Sequence, residues 1–100
     1  MIVIAGTATI RPAYWDEAVQ KAQEMIETTE AEPGCRSYRI YVDPIERNTA
    51  FLFEEWEHIQ ALTAHLQTPH FQEFNTYLAQ VLTEPPHIFR YEVSAKAPLR

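Results

Sequence analysis

A chain of 100 residues with a formal net charge of −6 has room for a single domain, residues 1–100, and is poorly suited to nucleic-acid phosphates or an anionic membrane. Apolar residues at 46% and charged residues at 22% are ordinary for a globular fold and exclude a disordered chain. With only Gly6 and Gly34 there is no glycine-rich phosphate loop, and the lone Cys35 rules out a disulfide within the chain and suits a reducing cytoplasm.

The opening "MIVIAGTATIR" is rich in β-branched residues and predicts a strand from Ile2 to about Ile10. It lacks the basic start of a signal sequence, and no later segment reaches the ~18 uninterrupted apolar residues of a membrane span. Pro12 permits a helix start, with Asp16 and Glu17 favouring its positive end. Trp15, Ala18, Val19, Ala22, Met25 and Ile26 then follow the spacing of one apolar helix face, and "EPG" ends it at Glu32–Gly34. "CRSYRIYV" and "TAFLFEEW" are strands joined by the turn-forming "DPIERN", which predicts an antiparallel hairpin.

After the hairpin, His58 takes an N-cap position and Ile59, Leu62 and Leu66 mark a short helix. Thr68 and Pro69 supply the N-cap and first residue of a second helical piece, whose apolar face carries Phe71, Phe74, Leu78 and Leu82. Pro85 and Pro86 stop it, "HIFRYEVS" is the last strand, and residues 94–100 read as a flexible or docking tail. The order β-α-β-β-α-β predicts an α+β, ferredoxin-like fold: a four-stranded antiparallel sheet with its helices on one face.

Side chains alternate across a strand, and here both faces are apolar. Phe51 and Phe53 oppose Leu52 and Trp56; Val3 and Ala5 oppose Ile2, Ile4 and Ile10; Phe89, Tyr91 and Val93 oppose Ile88. Each such side chain is worth roughly 1.5–3 kcal/mol when buried. The expected cover for the helix-free face is a second copy, giving a homodimer through the sheet faces. Glu54 and Glu55 must also point to opposite faces, so one at most enters a site; the other is expected to be solvated or paired with Arg36, Arg39 or Arg90.

"PGCRSYRIYVDP" followed by "FLFEEWEHIQALTAHLQTPHFQEF" resembles the antibiotic biosynthesis monooxygenase (ABM) family, in particular its quinol monooxygenase-like members within the dimeric α+β barrel superfamily. The matching elements are Pro33, Gly34, Cys35 and Tyr38; Glu54, Glu55 and Trp56; and His65, Leu66, His70 and Phe71. The resemblance implies a homodimeric α+β barrel and, as one of the family's activities, cofactor-independent oxidation of an electron-rich quinol or polyketide-like aromatic by O2. Haem degradation is disfavoured, because the positions that serve haem in those relatives fall on His65 and Asn75, and "AGTAT" replaces their first-strand asparagine.

His65 and His70 are the candidate catalytic bases, since imidazole titrates near neutrality. Their structural alternative is a satisfied histidine bracing helix to strand, or one bonded locally in the turn after Thr68. Five positions apart across a helix break, they are not the pair of a metal-binding helix, so no metal is expected. Trp56, Phe71, Phe74 and Tyr77 are the candidate walls of a pocket for a flat ring, and Tyr38 its orienting phenol, although each also suits a core. No cofactor is expected, and the partners are a second copy and a small aromatic ligand. The competing readings are a non-catalytic dimeric module, ligand-binding or stress-related, and, further back, an isomerase of a small phosphorylated compound.

Overall fold

The computed structural model describes residues 1–100. Strand β1 (Ile2–Thr9) leads through a 3-10 turn at Pro12–Tyr14 into α1 (Trp15–Glu30). The hairpin β2 (Cys35–Val42) and β3 (Thr49–Trp56) follows, then α2 (Ile59–Leu66), α3 (Pro69–Val81) and β4 (His87–Glu92). All neighbouring strands are antiparallel, in the order β2-β3-β1-β4. This is the ferredoxin-like α+β arrangement read from the element order. No helix is long and apolar enough to cross a membrane.

Local chemistry sets the boundaries. Thr68 Oγ1 accepts the Phe71 N–H at 3.2 Å with Pro69 as the first helical residue, and His58 Nδ1 accepts the Ala61 N–H at 3.2 Å, so both expected caps form. In the hairpin loop Asp43 Oδ1 accepts the N–H groups of Ile45 and Glu46, each at 2.8 Å. Asn48, at φ 57°, supplies the left-handed residue that returns the chain. Helix α1 begins at Trp15 rather than Pro12, because Pro12 opens the 3-10 turn and Tyr14, at φ −107° and ψ 4°, separates it from the helix. Gly34, at φ 81°, turns the chain from α1 into β2.

The register puts Ile2, Ile4 and Ala8 level with Trp56, Glu54 and Ala50 on the helix-covered face, with Tyr38 and Ile40 beside them. The opposite face carries Val3, Ala5, Phe51, Phe53, Phe89 and Tyr91. No element of the chain covers it: Phe89 is 60% exposed and Tyr91 51%. Glu55 lies on that face and pairs with Lys96 at 3.1 Å, not with an arginine. The arginines are engaged elsewhere, Arg39 with Glu30 at 3.3 Å, Arg90 with Glu92 at 3.8 Å and Arg36 with Glu57 at 4.0 Å. Lys96 lies past the end of β4 and 41 positions from Glu55, so a reading of separate elements does not show the contact.

Two buried clusters join the layers. One comprises Ile2, Met25, Tyr38, Trp56, Ala61 and Leu62, the other Ile10, Ala18 and Val81. Between them Phe71, Phe74 and Leu78 on the apolar side of α3, and Leu82 just past its end, are only partly buried. The reason is the space they border.

Candidate functional site

Sheet and helices α2 and α3 border a half-open cavity of about 790 Å³. Its floor is Ile4, Tyr38, Leu52, Glu54 and Ile88; its roof includes Leu62, His65, Phe71, Phe74 and Leu78; Thr83–Pro86 and Arg90 form part of the rim. The size and mostly apolar lining suit a flat organic molecule, with few polar groups to orient it.

Glu54 is the first of those groups. It is 5% exposed and faces the cavity because strand alternation sends it to the helix side. Its Oε1 accepts the Trp56 Nε1–H at 2.8 Å. Burial pushes the Glu54 pKa up to about 7, against the opposing pull of that hydrogen bond. Tyr38, directly across on β2, is 3% exposed. Burial, reinforced by Glu54, raises its phenol far above the ordinary range, so it stays a neutral donor.

His65 is the second group. It closes α2, its side chain is 1% exposed, and its ring packs against Trp56 at 4.8 Å and Phe71 at 5.1 Å between centroids. Nδ1 lies 2.8 Å from Glu32 Oε2. Burial lowers the His65 pKa and His70 lowers it further, outweighing the support of Glu32, so the ring is neutral at pH 7. His70 lies in the first turn of α3 with its side chain 26% exposed, and its Nε2 meets the same Glu32 oxygen at 2.7 Å.

The candidate residues thus divide. His65, Tyr38, Phe71 and Phe74 border the cavity. Trp56 does not: at 0% exposure it lies behind the wall, holding Glu54 and backing His65. Tyr77 turns toward α1, where Lys21 Nζ sits 5.0 Å from its ring. His70 borders a shallow groove on the outer surface with Lys21, Glu73 and Tyr77. Helical spacing grouped Tyr77 with Phe74, but a helix touching both α1 and the sheet splits its apolar side between them.

Two residues gain importance in the structure. Glu54 was visible through alternation as one of a pair. Glu32 was visible only as part of a helix stop, and nothing local marks it as the partner of two histidines more than thirty positions away. Glu32, His65 and His70 are also the residues whose side chains have metal-ligand chemistry at close range, their ligand atoms lying within 4.8 Å of one another. The 2.7 and 2.8 Å separations are hydrogen-bond lengths, however. A tetrahedral zinc ion holds its ligand atoms about 3.3 Å apart, so the trio would have to open to admit one.

The fold and cavity define a ferredoxin-like protein with a largely apolar, half-open cavity between sheet and helices. Residues 1–77 match the family model described as antibiotic biosynthesis monooxygenase, and the chain belongs to that family. It is 38% identical over 93 residues to the uncharacterised protein sll1783 of Synechocystis, covering 93% of this chain and 63% of that one, so it spans less than two thirds of that relative's length. It is 30% identical over 94 residues to YcnE of Bacillus subtilis, named as a candidate monooxygenase, covering 94% of this chain and 99% of that one. The solved structure of Rv0793 from Mycobacterium tuberculosis superposes with a TM-score of 0.88 at 26% identity, covering 97% of this chain and 98% of the other.

Proposed function

We propose that this chain is a cofactor-independent monooxygenase that oxidises an electron-rich dihydroxyaromatic, a quinol or polyketide-like anthrone, with O2. The observation that carries the reading is the 790 Å³ apolar cavity with a neutral buried histidine and a buried carboxyl on its walls. A ring held flat between Phe71, Phe74 and Leu52 loses a phenolic proton to His65. The anion then reduces oxygen itself: one oxygen atom enters the product, the other leaves as water, and the substrate supplies every electron. The protein contributes orientation, the base and exclusion of water. Tyr38 serves as the orienting donor.

The functional unit in this reading is a homodimer joined through the open sheet faces, supported by the exposed Phe51, Phe89 and Tyr91. Light scattering after size exclusion at micromolar concentration tests that part; twice the 11.6 kDa protomer mass is expected, and a purely monomeric species refutes it.

Oxygen-electrode assays with menadiol and anthrone, corrected for autoxidation, test the chemistry. Turnover should exceed the uncatalysed rate and fall by about a hundred-fold or more in His65→Ala. Equal rates in wild type and variant would defeat the reading.

A further inference from the structure

We propose that Glu32, in the turn between α1 and β2, is a positioning residue that keeps the proton of His65 on Nδ1 and leaves Nε2 as the acceptor meeting the substrate. The inference rests on the monooxygenase reading and divides the two histidines into a base and a brace. A carboxylate oxygen has lone pairs and no proton to give. Glu32 Oε2 lies 2.8 Å from His65 Nδ1 and 2.7 Å from His70 Nε2, so both ring nitrogens donate to it. His65 is thereby the Nδ1–H tautomer, and His70 carries its proton on Nε2.

The location of the three residues assigns the roles. His65 borders the cavity, whereas Glu32 and His70 do not. Nδ1 makes the only hydrogen bond of the His65 side chain, and the ring is wedged among Trp56, Phe71 and Tyr38, so it cannot exchange edges freely. When a phenolic O–H breaks and an Nε2–H bond forms, the new imidazolium stands beside the Glu32 carboxylate in a site of low polarity, where an opposite charge is most effective. The proton returns when the reduced oxygen atom departs as water. His70, partly exposed, gives the same Glu32 oxygen its second donor at 2.7 Å.

Histidine 15N spectra of the intact protein test the assignment, with His65→Gln and His70→Gln identifying the signals. At pH 8 His65 should show a protonated Nδ1 and an unprotonated Nε2, and 1-naphthol added under argon should shift the Nε2 resonance. Glu32→Ala, with folding checked by thermal melting, should mix or invert the tautomer. Glu32→Gln removes the charge while keeping an acceptor and should lower kcat by about ten- to hundred-fold with KM held within about two-fold. A wild-type His65 protonated on Nε2, a tautomer indifferent to Glu32→Ala, or stoichiometric zinc chloride binding at micromolar concentration in place of the two protons would overturn the proposal. Absent oxygen uptake alongside the expected tautomer and its loss in Glu32→Ala would refute the monooxygenase reading while leaving the Glu32–His65 pairing established.

Discussion

Replacing Glu54 with Gln should make the protein more stable, and the gain should depend on pH in a defined way. Burial moves the Glu54 pKa from 4.5 to about 7, a difference of about 3 kcal/mol between its two protonation states. The residue is 5% exposed, so solvent screens little of it. Below pH 4.5 the carboxyl is neutral in both folded and unfolded chains and its titration contributes nothing. Between about 4.5 and 7 the folded chain retains a proton that the unfolded chain has released, so stability falls as pH rises through that window and stays lower above it. Glutamine has the same shape, carries no charge and can still accept the Trp56 N–H. Its advantage over wild type should therefore grow by roughly 2–3 kcal/mol between pH 5 and pH 8. Urea unfolding at matched protomer concentration across that range measures the difference, and titrations common to both proteins cancel. Parallel stability curves for the two proteins would show that Glu54 is not held protonated by its surroundings, and the account of the cavity floor would be wrong.

Trp56→Phe removes the donor that draws the Glu54 pKa down, so the pH window for its deprotonation should move upward, read as a higher midpoint in the same urea series. Gly34→Ala places a Cβ 2.5 Å from that of Ala61 at φ 81° and should cost at least about 2 kcal/mol in thermal or urea unfolding. Burial, with help from Glu32, pushes the Cys35 thiol up to about 11, so iodoacetamide should modify it at pH 8 at least about ten-fold more slowly than an unhindered thiol. Phe89→Glu combined with Tyr91→Glu should convert the proposed dimer to an 11.6 kDa species by light scattering, with the far-ultraviolet spectrum retained.

Much of the fold could be read from local patterns because local physics decides it. Period-two alternation sorted Phe51 and Phe53 from Leu52, Glu54 and Trp56, and the register places them so. The Thr68-Pro69 and His58 caps rest on bonds between residues three apart, so their signals lie within a few letters of one another. The lining of the cavity is legible only in part. His65 and Phe71 border the cavity and Trp56 and Tyr77 do not, a distinction the letters do not carry, because an aromatic side chain looks the same in the sequence whether it borders a cavity or backs the wall behind it.

Glu32 shows why the remainder was hidden. Its role requires α1 to end where Gly34 can turn, α2 to carry His65 in its last turn, and α3 to be capped by Thr68 so that His70 falls in its first turn. Each of those events was readable separately. Their convergence on one oxygen depends on how the two helical layers cross the sheet, a long-range property with no local signature. The same turn also explains why a small domain can keep a large cavity. Glu32 ties α2 and α3 to the end of α1 through two hydrogen bonds, and the ring of Trp56 on β3 packs against His65 on α2. The Glu32 bonds therefore hold the three helices together at one end of the cavity, and the Trp56–His65 contact holds them to the sheet. Loss of Glu32 should accordingly alter both the base and the spacing of the roof, which is why the Gln and Ala variants must be read against the tautomer and not against activity alone.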